Sequence, residues 1–492
     1  MTEIATAAAD PRSAADRMIA EISARETKPL EYWPAAALSE YVAEALPLSV
    51  AHAFESPFHR AKFAGTTAPV DLAEFERLPL TEPAEAKGRL RELLAVPWRD
   101  VAQINLSSGT TAGPTTYVAY TLEDLRGDGA RYAPGGLFAF AATDLVAVAL
   151  PYDMATVGLA VHRDVQRQGA VVLPAGKGGS YGPPERLLQA IHDLGVDTLF
   201  STPSYAWYLR DLYEAAYPGE QPSIRHLRVG GEGAAPSMLT RLGQRWQADV
   251  RQWFGSTEIG IIAYTCELGV YHVAAGNCYA EVVDEAAFTG SPTSGAPGHN
   301  DEPATTPDAA TTTSEATERE ITAPEVTTPE VTQHGRPQVV GAGTVGALVF
   351  TTLGRNATPF VRFRSGDRGM LPGEPCECGR TLPTLHVYGR IADQIPAGDT
   401  AVSPYRIEEA FLQAVPEAAP WYHIVLRDNA IGLVAEWPGD AAGERAEVGD
   451  RVRDFVRRIA GFDLDSFEWA EIGTLDRPRT KMRRVRDERS IG

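Results

Sequence analysis

From Val101 onward, short apolar runs alternate with amphipathic segments, and this alternation is what most limits the folds open to the chain. DLVAVALPY, AVVLPAG and DTLFSTPSY have the length and β-branched content of buried strands. PPERLLQAIHDLG and PSMLTRLGQRW place their apolar residues at three-to-four spacing, as helices do. The pattern predicts an α/β core with a mainly parallel sheet. The first hundred or so residues read instead as helical patches broken by turns, LSEYVAEALPLSVAHAF being the clearest.

The rhythm fails from residue 286 to about 340, and no Phe, Tyr or Trp occurs between Phe288 and Phe350. A stretch so rich in Thr, Pro, Ala and Glu buries too little apolar surface to offset its ordering entropy. Residues 289–340 are therefore expected to be a disordered surface insertion, which long loops accommodate at small cost. Strand-like sequence resumes at ALVFTTL and FVRFRSGDRGML. PYRIEEAFLQAV, YHIVLR, IGLVAEW and GDRVRDFVRRIAG then predict a small α+β unit. The expected organisation is a large domain over residues 1–390 and a C-terminal one over 391–492.

A formal net charge of −20 sets a field that repels nucleic acid and anionic lipid. The N-terminus lacks a basic region followed by an apolar run and a cleavage site, and no run of about 18 apolar residues occurs. Four cysteines are too few for a disulfide scaffold in a chain of 492 residues. A cytoplasmic location without nucleic-acid or membrane partners is the expectation.

Two segments bear on chemistry before any likeness is considered. LSSGTTAGPTTYVAYT, from Leu106 to Thr121, packs hydroxyls and glycines together, and their donors suit a triphosphate. It is no Walker loop, which needs GxxxxGK[ST], and a flexible Ser/Thr/Gly loop would read the same. Gly341-Ala-Gly343-Thr-Val-Gly346 matches GxGxxG, but a strand-like run follows it where a dinucleotide fingerprint needs a helix, so a turn is expected.

Read together, SSGTTAGPT, STPSYAWYL, GGEG, WFGSTEIG, RFRSGDRG, YGRIADQI and PRTKMRRV resemble, in order, the adenylate-forming enzymes. Within them the chain most resembles the phenylacetate–CoA ligase family, with LPLT at Leu78–Thr81 and a CxCGRT segment at Cys376. The resemblance covers residues 30 to 487 apart from the insertion. It implies an ATP- and magnesium-dependent ligase that activates a small, aromatic carboxylic acid. Ser107, Ser108, Gly109, Thr110 and Thr111 would cradle the phosphates. Glu232, Gly233 and Ala234 would line adenine, and Phe254 would pack on the purine. Thr257 would contact the α-phosphate, Glu258 would hold magnesium, and Asp367 would bind the ribose hydroxyls. Arg390 would reach ribose or phosphate, and Lys481 would be the mobile lysine that bridges carboxylate and α-phosphate. The acid pocket is expected at Tyr152, Met154, Val157, Gly158, Ser204, Tyr205 and Gly255; ordinary core at a strand end is the alternative for Met154, Val157 and Leu159.

The chain departs from the family pattern in places. Gly113 stands where the phosphate loop has a lysine, Ala392 replaces an acidic hinge residue, and Gly398-Asp399 replaces a basic-glycine pair. An acidic residue there disfavours anionic CoA, so the acceptor is read as CoA or as an amine or other nitrogen nucleophile. An amide-forming or nitrite-activating, diazotising enzyme and a catalytically degenerate nucleotide-binding protein are the alternatives. A homodimer is compatible with each. Cys266 and His272, with Cys376 and Cys378, form a ligand set suited to structural zinc, although a CxC pair also fits two idle thiols. The resemblance implies zinc here, because some phenylacetate–CoA ligase relatives hold it with such residues, and Cys278 is read as a buried free thiol.

Overall fold

The computed structural model describes residues 14–26, 28–69, 71–107, 114–127, 139–178, 182–285, 338–397, 400–428, 430–436, 442–477 and 482–489. The Thr/Pro-rich stretch up to residue 337, Ser108 to Gly113, Gly398-Asp399 and Lys481 lie outside them. The apolar spacing read near the N-terminus becomes the helix Ala35–Ala53, which buries Leu38, Tyr41, Ala45, Leu46 and Val50 along one stripe. Thr81 of the LPLT segment donates its N–H to Arg362 O (2.8 Å) and its hydroxyl to Val361 O (2.8 Å), which fastens the N-terminal helices to the main sheet.

That sheet has eleven strands among the described residues. In spatial order they are Cys278–Val283, Gly346–Thr352, Phe363–Met370, Thr384–Arg390, Tyr271–Val273, Gly260–Thr265, Asp249–Ser256, His226–Gly230, Thr198–Ser201, Leu145–Val148 and Val171–Leu173. From Asp249–Ser256 to Val171–Leu173 neighbours run parallel. The remaining pairs are antiparallel. The expected parallel sheet thus occupies one half of a mixed one, because parallel pairing needs long crossovers. The helices Thr156–Arg167, Pro184–Leu194, Pro203–Ala216 and Pro236–Trp246 provide them. Beyond Ser256 the turn 257–259 is too short for anything but an antiparallel return.

The segment Tyr152–Leu159 is not a strand end: the strand closes at Val148, and a helix runs from Thr156 to Arg167. Gly158 permits this, since a Cβ there would lie 2.3 Å from Pro151 O. The glycines at 341–346 form a turn leading into a strand, as expected.

After Arg390 come a short turn, the hairpin of Ile395–Ala397 with Thr400–Val402, and the helix Pro404–Ala414. A four-stranded sheet follows in the order Ser466–Ala470, Ala430–Glu436, Tyr422–Arg427 and Val485–Asp487, with the helix Ala442–Ala460. One buried apolar cluster runs without a break from Met238, Leu242 and Trp246 to Phe411, Leu412 and Val415. Among the described residues no helix is long and apolar enough to cross a membrane.

Candidate active site

In open α/β sheets, ligands bind beyond the carboxyl ends of the parallel strands. The strands Val101–Leu106 and Tyr117–Thr121 pair with Leu106 opposite Tyr117, so the hydroxyl-rich segment is the connection of a hairpin. Ser107 donates its N–H to Thr116 O at 2.9 Å. Tyr120 Oη donates to Thr257 O at 3.4 Å, tying this hairpin to the turn that carries half-buried Thr257 and Glu258. Ser256 Oγ accepts Ile259 N–H at 3.2 Å and holds the turn. Phe254, on the strand leading into it, meets Phe350 edge to face with centroids 6.3 Å apart, and Gly255 follows at a break in the strand register.

Asp367 and Arg390 stand opposite one another on paired strands. Arg390 Nε lies 3.3 Å from Asp367 Oδ1, and Arg390 Nη1 donates to Ser365 O at 2.8 Å. The Asp367 carboxylate is thus buried with a cation beside it.

The loop between the strand His226–Gly230 and the Pro236 helix carries Glu232, Gly233 and Ala234. Its contacts reach the C-terminal unit, which the sequence did not reveal. Glu232 accepts Ser204 N–H at 2.6 Å and Met482 N–H at 2.9 Å. The Pro236 helix starts at Ala235, which has no side-chain oxygen for a cap. Glu408 accepts Ala235 N–H instead (2.6 Å), and Glu409 accepts Ser237 N–H and Oγ–H (2.8 and 2.7 Å). A Cβ on Gly233 would fall 2.1 Å from Tyr405 Cζ, so the Tyr405 ring lies directly on this loop. Burial raises the Tyr405 phenol above its ordinary pKa, and Glu408, Asp367, Asp393 and Glu232 raise it further. The loop 232–234 and the strand Thr384–Arg390, which pairs with the Asp367 strand, therefore meet around one ring. Only the absence of a Cβ at Gly233 hinted at this in the sequence.

The residues expected to bind the acid are less uniform. Tyr152 Oη lies 3.2 Å from His162 Nδ1, and burial raises its phenol pKa. Met154 is 65% exposed, while its carbonyl accepts from Leu106 N–H (2.9 Å) and Asn105 Nδ2 (3.2 Å). Val157 and Gly158 sit in the first turn of their helix, and Ser204 is buried in the first turn of the Pro203 helix. Tyr205 is 1% exposed and packs into the buried core, with Lys177 Nζ 5.2 Å from its ring centroid, so its ring presents no open wall. Lys177, which the sequence reading did not single out, donates to Thr202 Oγ1 at 3.0 Å at this edge of the sheet.

A family model described as AMP-binding enzyme matches residues 40–300, more than half of the chain. The chain belongs to the AMP-binding enzyme family. It is 29% identical to the phenylacetate-coenzyme A ligase of Thermus thermophilus, with 81% of this chain and 80% of that one covered. It is also 29% identical to the phenylacetate-coenzyme A ligase of Pseudomonas putida, with 94% and 96% covered. Among solved structures, 2-hydroxyisobutyryl-CoA ligase in the postadenylation state matches the fold with a TM-score of 0.75 at 21% identity, covering 93% and 91% of the two chains. The same ligase in its thioesterification state scores 0.58 at 22% identity, with the same coverage. This AMP-binding enzyme is an adenylate-forming protein of the acid–CoA ligase group.

The AMP-binding enzyme also gathers Cys266, His272, Cys376 and Cys378, whose ligand atoms all lie within 4.8 Å of one another. Cys266 Sγ and Cys376 Sγ are 3.8 Å apart, and Cys378 Sγ is 3.4 Å from His272 Nε2. A tetrahedral ion with bonds of about 2.3 Å separates two sulfurs by roughly 3.8 Å, so the donor set fits zinc. His272 Nδ1 faces Leu382 O at 3.2 Å, the backbone partner that orients a ligating imidazole.

Proposed function

We propose that the chain uses ATP and magnesium to convert a small aromatic carboxylic acid into its acyl-adenylate and then passes the acyl group to CoA. One observation carries this reading: the Glu232 loop and the strand Thr384–Arg390, which sets Arg390 beside Asp367, meet around Tyr405, at the carboxyl edge of the parallel strands of an AMP-binding enzyme.

In this proposal the segment Ser107 to Thr111 holds the phosphates with hydroxyls and backbone amides. Glu258 binds magnesium, which neutralises phosphate oxygens and the departing pyrophosphate. Thr257 bonds the α-phosphate. Asp367 exchanges its partner Arg390 for the ribose hydroxyls, which releases the guanidinium toward ribose or phosphate. Lys481 arrives with the C-terminal unit, taken as residues 391–492, as a compact charge between two anions that must react. The acid lies near Tyr152 and the first turns of the Thr156 and Pro203 helices. Zinc held by Cys266, His272, Cys376 and Cys378 is structural. The acidic hinge at Asp399 favours a second acceptor, an amine or other nitrogen nucleophile, because it disfavours anionic CoA.

The test is acid-dependent ATP–pyrophosphate exchange across a panel of aryl and arylalkyl acids, with CoA consumption followed in parallel. Exchange with at least one such acid is expected. No exchange with any of them, in the presence of magnesium, refutes the reading. Exchange without CoA consumption moves the acceptor to a nitrogen nucleophile.

A further inference from the structure

We propose that the amino-terminal edge of the parallel strands carries a second binding site, one that takes a small phosphate-type oxyanion. A cavity of about 250 Å³ lies there, lined by Thr198, His226, Arg228, Arg251, Thr265 and Arg380. Its remaining lining, Ala139 and Phe140, is apolar, and among the described residues no carboxylate lines it. Strand pairing explains the convergence. Thr198 pairs with His226 and Arg228 with Arg251, so these four share one face, as residues two apart on a strand do. Thr198 and His226 open their strands, so the whole strand His226–Gly230 separates the cavity from the Glu232 loop.

Arg228 and Arg380 are 8% and 7% exposed, and guanidiniums so buried need compensation. Asp249 accepts from Arg228 Nη1 (3.0 Å) and Arg251 Nε (3.1 Å). Glu267 accepts from Arg380 Nη1 (2.6 Å) and stands 3.5 Å from Arg251 Nη1, and Glu31 accepts from Arg380 Nε (3.1 Å). These carboxylates hold the forks without using them up. Among the described residues, Arg228 Nε and Nη2 and Arg251 Nη2 donate to nothing. His226 Nδ1 is buried without a hydrogen bond. Thr265 Oγ1 accepts Gln252 N–H (2.8 Å), which leaves its O–H to donate. Burial lowers the pKa of Arg228, and Arg251 lowers it further against the pull of Asp249. A bound anion opposes both effects. Guanidinium forks grip phosphate oxygens through paired N–H bonds. The volume is below the roughly 300 Å³ at which pockets for drug-sized ligands begin, so the ligand is free phosphate or a short phosphate monoester.

The experiment titrates the full chain calorimetrically with inorganic phosphate and with glycerol 3-phosphate, at constant ionic strength set by sodium chloride. One saturable site with a Kd of about 1 mM or tighter is expected. Tighter binding of glycerol 3-phosphate supports a monoester as ligand, and equal or weaker binding supports free phosphate. Arg228→Gln should weaken binding by about tenfold or more. Arg251→Gln, at a more exposed side chain, should do the same and guards against misfolding of the first variant. Absence of saturable binding by either probe up to about 20 mM would overturn the proposal. So would wild-type affinity in both variants, which would put the phosphate elsewhere, at the hydroxyl-rich loop among other places. The proposal is independent of the function proposed above: a chain that exchanges no pyrophosphate would still bind phosphate here, and would still lose it with either arginine.

Discussion

Two residues illustrate how a single position governs this molecule. Gly233 leaves room for the Tyr405 ring, and a Cβ there would meet Cζ at 2.1 Å and Oη at 2.2 Å. Gly233→Ala should therefore push the C-terminal unit off the loop. We expect pyrophosphate exchange to drop by about two orders of magnitude and the melting temperature to fall with it, because one buried apolar cluster runs across this contact. Activity close to wild type would mean that Tyr405 yields freely. His59 acts on stability. It is fully buried, with Ser56 Oγ 2.7 Å from Nδ1, and burial, aided by Lys62, lowers its pKa to about 3. The unfolded chain takes up this proton near pH 6.5. Stability from a neutral His59 is therefore complete above pH 6.5 and is lost as pH falls from there toward 3. Between pH 7 and pH 5 the loss is about 2 kcal/mol. His59→Gln should flatten that part of the pH dependence of the urea midpoint; an unchanged slope would assign it to another group.

At the scale of elements, helix ends determine how the two units meet. The Pro236 helix takes its N-terminal acceptors from Glu408 and Glu409 on the Pro404 helix. Arg241 on the former returns the favour, donating to Leu412 O, Val415 O (3.0 Å) and Ala418 O (2.7 Å) at the C-terminal end of the latter. Each helix thus satisfies orphan groups of the other, and the charges suit both dipoles. Arg241→Ala should weaken docking by about 1–2 kcal/mol. Pyrophosphate exchange should then suffer more than transfer from supplied acyl-adenylate; equal effects on both would show that the contact is structural only. These ends also mark the limit of what the sequence disclosed. The strands AVVLPAG and DTLFSTPSY and the helices PPERLLQAIHDLG and PSMLTRLGQRW were legible because periodicity is local. The helix Thr156–Arg167 was not, because its first turn, TVGL, reads as the tail of the preceding apolar run. The antiparallel half of the sheet was hidden for a related reason: an apolar strand looks alike in either direction. The bond from Met482 N–H to Glu232 joins positions far apart in sequence and leaves no local signature.

Across the whole molecule, the cluster of Cys266, His272, Cys376 and Cys378 joins parts of the chain that are distant in sequence. Cys266 and His272 flank the turn after the strand Gly260–Thr265, which follows Glu258. Cys376 and Cys378 lie between the Asp367 strand and the strand Thr384–Arg390, which pairs with Tyr271–Val273 through Thr384 and His272. An ion here would brace the antiparallel half of the sheet, so that Glu258 and Asp367 are held on one rigid frame. Chelation should lower the melting temperature by on the order of 5–10 °C, and zinc should restore it. A count of reactive thiols gives an independent readout. Burial pushes Cys278 up to about 12, so that thiol stays inert whether or not metal is bound. Zinc-loaded native protein should therefore resist alkylation, whereas chelated protein should react at the half-buried Cys376 and Cys378 and not at Cys278. Cys376→Ser should reproduce the chelated melting temperature, and Cys278→Ser should keep the response to zinc. Protein that carries no stoichiometric zinc and melts at the same temperature with and without chelator would reduce the cluster to unligated thiols and one imidazole, and the rigidity of the frame would then rest on strand pairing alone.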